Sequence, residues 1–385
     1  MRICLKNNTM LTVCHFTSAH PPYDGRIFYK ECVSLAKAGY EVYLVVPNAK
    51  DEIIEGVHIV GVQVNNGNRF CRILLTANAI CKKALSLNAD IYHFHDPELL
   101  RFVSCLKKKR KIVIYDMHED YPVNILTKNW IPLFLRKYIS SLYLKYETKM
   151  LKKLDAVVVV TPQMKKRLQA LTEVEIITNY PLYEEPKTRK VDYLERENVL
   201  SFAGTISEIR LHENLIRAIE GINNVQYYLA GRRTPYLDRL KHLSGWKKVV
   251  YLGLISQKEV EELYVKTKIG IIIEDYGEVN YGNEGSMGVT KLFDYMKFSI
   301  PFICTDFEYH KEIVDKYHCA IAVNPRNLNE ITDAILYLLN HPEEAKKMGE
   351  NGHEAYVAYY NWASQEKILI DLYSRLGEHE KQVKV

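Results

Sequence analysis

Two segments of the sequence bring histidine and acidic side chains to the ends of apolar runs. In DIYHFHDPE, His93 and His95 alternate along the run, and Asp96 and Glu98 follow it. Residues two apart on a strand share one face. The segment YDMHED at 115–120 repeats the arrangement on the next apolar run. Imidazole and carboxylate groups at such positions can hydrogen-bond a polar ligand, so the two segments form one candidate site.

The elements that must position these side chains are short β-branched runs separated by helical patterns. This alternation is typical of a doubly wound parallel sheet, and therefore of the α/β class. We predict a first domain over residues 1–180 and a linker over 181–198, which is polar and contains two prolines. Strands are predicted at 11–16, 41–46, 90–95, 111–116, 156–160 and 174–178, and helices near 26–39, 70–87, 97–108, 131–153 and 162–170.

The second half of the chain repeats the alternation and predicts a second Rossmann-like domain over residues 199–361. A C-terminal helix at 362–385 extends beyond what this sheet needs and could cross back to the first domain. Two such domains facing each other leave a central cleft at the carboxyl ends of both sheets, where open α/β sheets bind ligands. Strands are predicted at 199–204, 225–231, 248–253, 269–273, 300–305 and 320–323.

Composition excludes several classes of protein. The 385 residues are 47% hydrophobic and 26% charged, which is typical of soluble globular proteins and not of disordered or fibrous ones. No apolar run approaches the roughly 18 residues of a membrane span, and polar residues interrupt the N-terminus before a signal peptide can form. We therefore expect a cytoplasmic protein. The sequence contains no GxGxxG, Walker A, HExxH or CxxC motif, so neither a dinucleotide cofactor nor a metal is expected.

Basic residues are concentrated in the first half of the chain. Residues 101–170 carry 16 basic and 5 acidic side chains. The excess includes the segment 130–153, where lysines alternate with large apolar and aromatic residues. Such a segment could lie peripherally on an anionic membrane, or it could be a solvated basic helix. Nucleic acid is not an expected partner, because no nucleic-acid-binding motif accompanies the charge.

The segment GVTKLFDYMKFSIPFICTDF at 288–307 resembles the donor-binding helix of family 4 glycosyltransferases, which are retaining enzymes of the GT-B type. The resemblance extends over nearly the whole chain and in the family's order. It is specific for the superfamily and weak for the substrate. It includes HFTSAHPPYDGRIFYKECVSLAKAGYEVYLV, DIYHFHDPELL, VIYDMHEDYP, VVVTPQMKKRL, NYP at 179–181, LSFAGTISEIR and YNW at 360–362.

The resemblance implies a nucleotide-sugar site in the second domain. Arg210 corresponds to a basic residue that binds phosphate after the glycine loop beginning at Gly204, and Lys291 adds a second charge at the start of the donor helix. Basic side chains and a helix N-terminus can compensate a diphosphate without a metal, and no Asp-x-Asp motif is present. The alternatives are a solvated turn arginine for Arg210 and an ordinary surface lysine for Lys291.

The chain departs from the family at three donor-binding positions. Thr205 replaces the usual first phosphate-binding arginine and removes one positive charge. The family's paired glutamates correspond to Ser286 and Asp294. Asp294 can still accept the ribose hydroxyls, whereas Ser286 cannot act as a carboxylate. Glu284, two residues upstream, is a candidate replacement.

The resemblance also implies roles in the first domain. His95 would approach the donor sugar as a catalytic residue together with Arg210, whereas His93 is expected to be a buried structural histidine. The candidate acceptor contacts are Asp24, Gly25, Arg26, His118 and Glu119. Two of these have ordinary alternatives, because Asp24 could instead cap a helix and Glu119 could lie in a solvated loop.

The resulting expectation is a metal-independent hexosyl- or N-acetylhexosaminyltransferase without a cofactor. It would transfer a sugar with retention from a nucleoside diphosphate, UDP being favoured over GDP, to a hydroxyl of a cell-surface glycan or a lipid-linked saccharide. Two alternatives stay open: a non-catalytic glycosyltransferase-like binding subunit, which the departures at Thr205, Ser286 and Asp294 keep in consideration, and a nucleotide-sugar epimerase of GT-B fold.

Overall fold

The protein forms two compact α/β units in the computed structural model. The first unit contains Met1–Asn179 and Trp362–Val385, and the second contains Tyr180–Asn361. The structure describes residues 10–64, 72–128, 130–183, 192–277, 280–285 and 290–383.

The first unit is built on an eight-stranded sheet whose strands are parallel except at one edge. The strands are β1 Thr12–Phe16, β2 Glu41–Pro47, β3 Glu52–Ile54, β4 Val57–Val62, β5 Ile91–Phe94, β6 Ile112–Met117, β7 Ala156–Val159 and β8 Glu173–Ile176. Their order is β3-β4-β2-β1-β5-β6-β7-β8. The central strands β5, β6 and β7 are buried along their whole length, as expected for a parallel sheet covered on both faces.

The edge of this sheet differs from the prediction. No strand was predicted within residues 52–62, and β3 and β4 form an antiparallel hairpin there. Its two-residue turn, Glu55 and Gly56, has positive φ at both positions, 52° and 79°. Two positive φ angles are typical of the type I′ turn, which matches the twist of a hairpin.

The helices of the first unit include two stretches of π-helix. These are Ile27–Cys32 and Arg72–Thr76, and each runs directly into an α-helix. The α-helices are α1 Val33–Lys37, α2 Ala77–Ser86, α3 Val103–Lys108, α4 Tyr121–Leu126, α5 Leu133–Leu151 and α6 Pro162–Leu168, and a 3₁₀-helix at Pro97–Phe102 precedes α3.

The second unit is a six-stranded parallel sheet with helices on its faces. The strand order is β11-β10-β9-β12-β13-β14. Tyr193, which lies in the predicted linker, is buried in the core of this unit. The strands are β9 Val199–Ala203, β10 Gln226–Ala230, β11 Val249–Gly253, β12 Ile269–Ile272, β13 Phe302–Thr305 and β14 Ala320–Val323. The α-helices are α7 His212–Ala218, α8 Pro235–Leu240, α9 Gln257–Lys266, α10 Thr290–Lys297, α11 Glu308–Tyr317, α12 Leu328–Asn340 and α13 Pro342–Ala358.

The last helix, α14 Trp362–Val383, belongs to the first unit. Its Trp362 Nε1 donates to Ser34 Oγ at 2.9 Å, and Gln365 Oε1 accepts from the backbone N–H of Thr178 at 2.8 Å. These bonds fix the helix beside the sheet. Among the described residues, no helix is long and apolar enough to cross a membrane.

Candidate functional site

Three histidines lie together inside the first unit. The register of the parallel strands places His15 of β1 beside His93 of β5, and His95 follows on the same face of the chain. The ring centroids of His15 lie 4.6 Å from His93 and 5.2 Å from His95, and those of His93 and His95 are 4.9 Å apart. With Tyr373 of α14 they form what we call the histidine cluster.

Both ring nitrogens of His95 have partners within the unit. Nε2 lies 3.0 Å from Nδ1 of His15, and Nδ1 lies 3.2 Å from Oδ2 of Asp116. Burial lowers the pKa of His95 and so favours the neutral ring, although the hydrogen bond with Asp116 opposes this shift. A role for His95 with a sugar would therefore require it to give up one of these hydrogen bonds.

Arg26 lies inside the first unit and not at an acceptor surface. Its Nε and Nη2 donate to the two oxygens of Asp116, each at 2.8 Å, and Nη1 donates to the carbonyl of Ile177 at 2.8 Å. Burial opposes the ionisation of Asp116, but Arg26 holds the pKa of this carboxyl well below its usual value. The expected acceptor contact of Arg26 is therefore replaced by a buried ion pair.

Of the other two residues of the predicted acceptor loop, Asp24 has a local role and Gly25 has no packing partner in the structure. Asp24 Oδ1 accepts the backbone N–H groups of Arg26 and Ile27 at 2.8 and 2.9 Å, as an N-cap residue does. Gly25 is exposed, and a Cβ built there would meet nothing within 4 Å. Packing within the chain therefore does not explain this glycine.

His118 and Glu119 lie where the first unit meets solvent. The His118 side chain is 21% exposed, and its Nε2 donates to Oδ2 of Asp116 at 2.5 Å. Glu119 is exposed and accepts a hydrogen bond from Asn124. Of the predicted acceptor residues, His118 is the one that connects the buried network to the surface.

A pocket of about 630 Å³ lies at the carboxyl end of the sheet in the second unit. It brings together Gly204, Thr205, Lys291 and Asp294, which come from the end of β9 and the start of α10. Parallel sheets present ligand sites at this end. The remaining lining residues are Ala203, Ile206, Ala230, Gly231, Arg232, Thr234, Leu254, Ile255, Gln257, Val260, Tyr264 and Thr290.

Lys291 is packed against Gly204 in this pocket. A Cβ at Gly204 would lie 2.6 Å from the Cε and Nζ atoms of Lys291, so a larger residue could not hold this place without displacing the lysine. Burial, and secondly the charge of Arg210, lower the pKa of Lys291 to about 8. A buried ammonium with a lowered pKa gains most from an anionic ligand.

The glycines of this loop also permit a close approach of the backbone. A Cβ at Gly231 would lie 2.1 Å from the carbonyl oxygen of Gly204. The ends of β9 and β10 can therefore meet only because this residue is glycine.

Arg210 does not line the pocket. Its guanidinium contacts the carboxylate of Glu274, which is buried at the end of β12. Arg210 and Lys291 share the ring of Phe202, their charged groups lying 5.9 and 5.1 Å from its centroid. One of the two cations expected to bind a diphosphate thus contacts a carboxylate of its own unit, while burial lowers its pKa to about 10.

The three positions considered for a carboxylate in the donor site lie in different places. Asp294 lines the pocket beside Lys291 and Tyr264. Glu284 is exposed and lies outside the pocket lining. Ser286 lies outside the described residues.

Sequence reasoning missed four residues that shape these sites. Asp116 and Tyr373 organise the first site, Arg232 lines the pocket, and Glu274 contacts Arg210. An arginine directly after a glycine at a strand end was the available signal for Arg232. For Asp116 and Glu274 the available signal was an acidic residue at the end of a predicted strand, in IYD and in IIIED.

Two family models match consecutive parts of the chain. Glycosyltransferase Family 4 matches residues 25–179, and Glycosyl transferases group 1 matches residues 184–355. The chain belongs to the family 4 glycosyltransferases and has a GT-B fold. The two units of this glycosyltransferase thus correspond to the two matched models. Comparison with curated proteins gives no match.

Solved structures similar to this glycosyltransferase share its fold at low sequence identity. Sucrose-phosphate synthase from Thermosynechococcus elongatus is 16% identical with a TM-score of 0.74, the match covering 96% of this chain and 100% of that one. A glycosyltransferase from Rickettsia africae is 16% identical with a TM-score of 0.65, covering 95% and 98%. HepE from Anabaena, in complex with UDP and glucose, is 10% identical with a TM-score of 0.68, covering 94% and 99%.

Proposed function

We propose that this glycosyltransferase transfers a hexosyl or N-acetylhexosaminyl group from a nucleoside diphosphate with retention at the anomeric carbon. The pocket of the second unit carries the proposal, because Lys291 is packed on Gly204 and Asp294 lies beside it. UDP is favoured over GDP, since the HepE structure was obtained with UDP and glucose. The acceptor would be a hydroxyl of a cell-surface glycan or a lipid-linked saccharide, near His118 and Glu119.

The donor site would operate without a metal. Lys291 would neutralise the diphosphate as the sugar departs, which is electrostatic stabilisation of the developing charge. Asp294 would accept the ribose hydroxyls, because a carboxylate is acceptor-only and can bind two hydroxyls. Arg210 would contribute its charge if it turned from Glu274 towards the phosphates.

The test of this function is release of nucleoside diphosphate from a panel of UDP- and GDP-sugars, with and without acceptor extract. Asp294→Ala should weaken UDP binding by about 1.5–3 kcal/mol, the range for a hydrogen bond to a charged group. Asp294→Glu should retain binding, and Asp315→Ala, an exposed aspartate outside the pocket, should leave it unchanged. Calorimetric titration with UDP measures each variant, and equal affinity of Asp294→Ala and the natural chain would remove the assignment.

A non-catalytic binding subunit is the second candidate function. The contact of Glu274 with Arg210 favours it, because that contact and Thr205 together lower the positive charge near the diphosphate. Such a subunit would bind UDP with no turnover of any donor. Turnover that depends on acceptor would exclude this candidate.

We also propose that the protein acts in the cytoplasm as a peripheral protein on anionic membranes. The start of α5 exposes large apolar side chains, with Leu133 77% and Phe134 82% exposed. Lys137 and Lys145 are exposed on the same side of the helix. Apolar insertion and attraction to lipid headgroups could then act together.

Vesicle co-sedimentation tests this membrane contact. Binding should require anionic lipid and weaken at high salt, because the charge contribution is screened. The double variant Phe134→Ser with Lys137→Glu should lose binding, whereas Ile53→Ser, an exposed apolar residue on the edge strand β3, should not. A chain that stays in the supernatant with anionic vesicles at low salt would contradict the proposal.

A further inference from the structure

Two cationic side chains are found among the described residues that line the pocket of the second unit, those of Arg232 and Lys291. Arg210, the other cation expected there, lies outside the lining and contacts Glu274. The same lining includes the carboxylate of Asp294. The positive charge at the pocket therefore depends on Lys291 and on Arg232.

Arg232 and the next residue, Arg233, have different surroundings. Nη2 of Arg233 donates to Oδ2 of Asp238 at 3.2 Å, and Arg233 does not line the pocket. Arg232 is exposed, and within the described part of the chain it forms no ion pair with an acidic side chain. Its guanidinium is therefore available for charge-assisted hydrogen bonds to an anion in the pocket.

The pairing of β9 with β10 places Arg232 beside the glycine loop. The parallel register ends with Ala203 beside Ala230. Two residues further along, one chain has Thr205 and the other has Arg232. The glycine that lies between has nearly the same φ in both chains, 158° and 159°. Arg232 therefore occupies, after β10, the place that Thr205 occupies after β9.

Hydrogen bonds hold the turn that carries Arg232 on both sides. Gly231 N donates to the carbonyl of Gly253 at 2.7 Å. Thr234 Oγ1 donates to the carbonyl of Ile206 at 3.2 Å. The backbone before and after Arg232 is thus fixed against β11 and against the segment that follows β9. A fixed backbone lowers the entropy that must be lost when the side chain binds a ligand.

A diphosphate suits an arginine at this place. The guanidinium is planar, stays charged at any pH of interest and can donate two parallel N–H groups to phosphate oxygens, whereas a lysine ammonium acts as a point charge. Lys291 begins α10 and Arg232 follows β10. Two cations on different elements of one pocket can bind different oxygens of the same diphosphate.

We propose that Arg232 binds the diphosphate of the nucleotide donor together with Lys291. This inference rests on the donor function proposed above for the pocket and adds a phosphate-binding residue to it. The N–H groups of Arg232 donate to phosphate oxygens from the side of β10, where the neighbouring Thr205 carries no charge. The pocket then holds its ligand with two cations, although Arg210 lies outside the lining.

Calorimetric titration of the full chain with UDP, UMP and uridine tests the inference. Arg232→Gln should weaken UDP binding by about tenfold, the lower end of the range for a hydrogen bond to a charged group, because the arginine is exposed before the ligand binds. UMP, which has one phosphate fewer, should lose less, and uridine should lose nothing. Arg233→Gln, the matched control, should bind all three as the natural chain does.

Two further variants separate a phosphate contact from a change in the fold. Arg232→Lys keeps the charge without the planar donor pair, so it should recover part of the UDP affinity. Thr205→Arg, made in the Arg232→Gln chain, restores an arginine at the matching place after β9 and should raise UDP affinity several-fold. All of these variants should keep the thermal midpoint of the natural chain without nucleotide, because the side chain of Arg232 is exposed.

Unchanged UDP affinity of Arg232→Gln would overturn the inference. Equal losses for UDP, UMP and uridine would also overturn it, because they would indicate a contact with the nucleoside. An equal loss in Arg233→Gln would mean that the general positive charge of this surface attracts the nucleotide. A natural chain that binds neither UDP nor GDP would contradict the proposed donor function and this inference with it, whereas UDP binding that is unaltered in Arg232→Gln contradicts the role of Arg232 alone.

Discussion

The two sites of this glycosyltransferase differ in whether a buried cation has acidic partners in its own unit. In the first unit burial opposes the charge of Arg26, but Asp116 and Glu31 raise the pKa of its guanidinium above the usual value. In the second unit burial lowers the pKa of Lys291 to about 8. A cation that its own chain neutralises supports the fold, whereas a buried cation with little counter-charge is prepared for an anion. Charge balance therefore separates a structural arginine from a candidate phosphate-binding lysine.

The largest expected effect comes from breaking the ion pair of the first unit. Asp116→Asn leaves the guanidinium of Arg26 buried without its main partner, and removal of one partner of a buried pair costs about 3–5 kcal/mol. Urea unfolding measures the loss. The control is Asp238→Asn, which removes an exposed partner of Arg233 and should change the free energy of unfolding little. If both substitutions changed the free energy of unfolding equally little, Asp116 would not be the partner that stabilises the buried charge of Arg26.

The opposite effect on stability is expected when the charge of Lys291 is removed. Lys291→Met removes a charge that burial disfavours, so the thermal midpoint should stay the same or rise, while UDP binding should fall by about 10–100-fold, as for loss of a charge-assisted hydrogen bond. Lys258→Met, at an exposed lysine of α9, is the control for both measurements. A destabilised Lys291→Met variant with normal UDP affinity would reverse the assignment.

The pH dependence of stability and of UDP affinity gives a further test of the charge of Lys291. The pKa of Lys291 is about 8 in the folded chain, against a usual value of 10.5. Below pH 8 Lys291 is charged in the folded and in the unfolded chain, so its burial opposes folding fully. Between pH 8 and 10.5 the unfolded chain binds one proton more than the folded chain. The free energy of unfolding therefore rises with pH in this range, as far as Lys291 determines it. UDP affinity should fall instead, by up to about tenfold per pH unit above 8. Calorimetry between pH 7 and 9.5 should show this decline in the natural chain and not in Lys291→Met.

The sequence was informative where local pattern determines structure. The buried strands and the donor helix were predicted from apolar runs and from the motif around Lys291 and Asp294, and the two-sheet fold is confirmed. The hairpin at 52–62 was missed, because its turn is Glu-Gly and lacks the Asn-Gly or Asp-Gly pair that indicates such turns.

Long-range partners account for the errors at the sites. Arg26 was expected at an acceptor because its loop resembles the family, but Asp116, which buries it, lies 90 residues away. Tyr373 is 358 residues from His15. Glu274, which follows β12, contacts Arg210 in the segment between β9 and α7. Local spacing carries no information about such contacts, since they depend on strand order and on where the last helix packs.

The smallest effect is expected at the contact of Glu274 with Arg210 in the second unit, which is the counterpart of the pair of Asp116 with Arg26 in the first. Glu274 contacts Arg210 as Asp116 contacts Arg26, but burial lowers the pKa of Arg210 to about 10, whereas the pKa of Arg26 is raised. The Arg210 side chain is also 22% exposed against 5% for Arg26. Glu274→Gln keeps the shape and removes the negative charge, so Arg210 should become available to a diphosphate and UDP affinity should rise a few-fold, within the 0.5–1.5 kcal/mol range of one hydrogen bond. UMP, which has one phosphate fewer, should gain less. Calorimetry with both nucleotides separates the cases: a rise for UDP alone marks Glu274 as a restraint on a phosphate-binding arginine, whereas lower affinity for both would mean that Glu274 is needed to hold Arg210 in place.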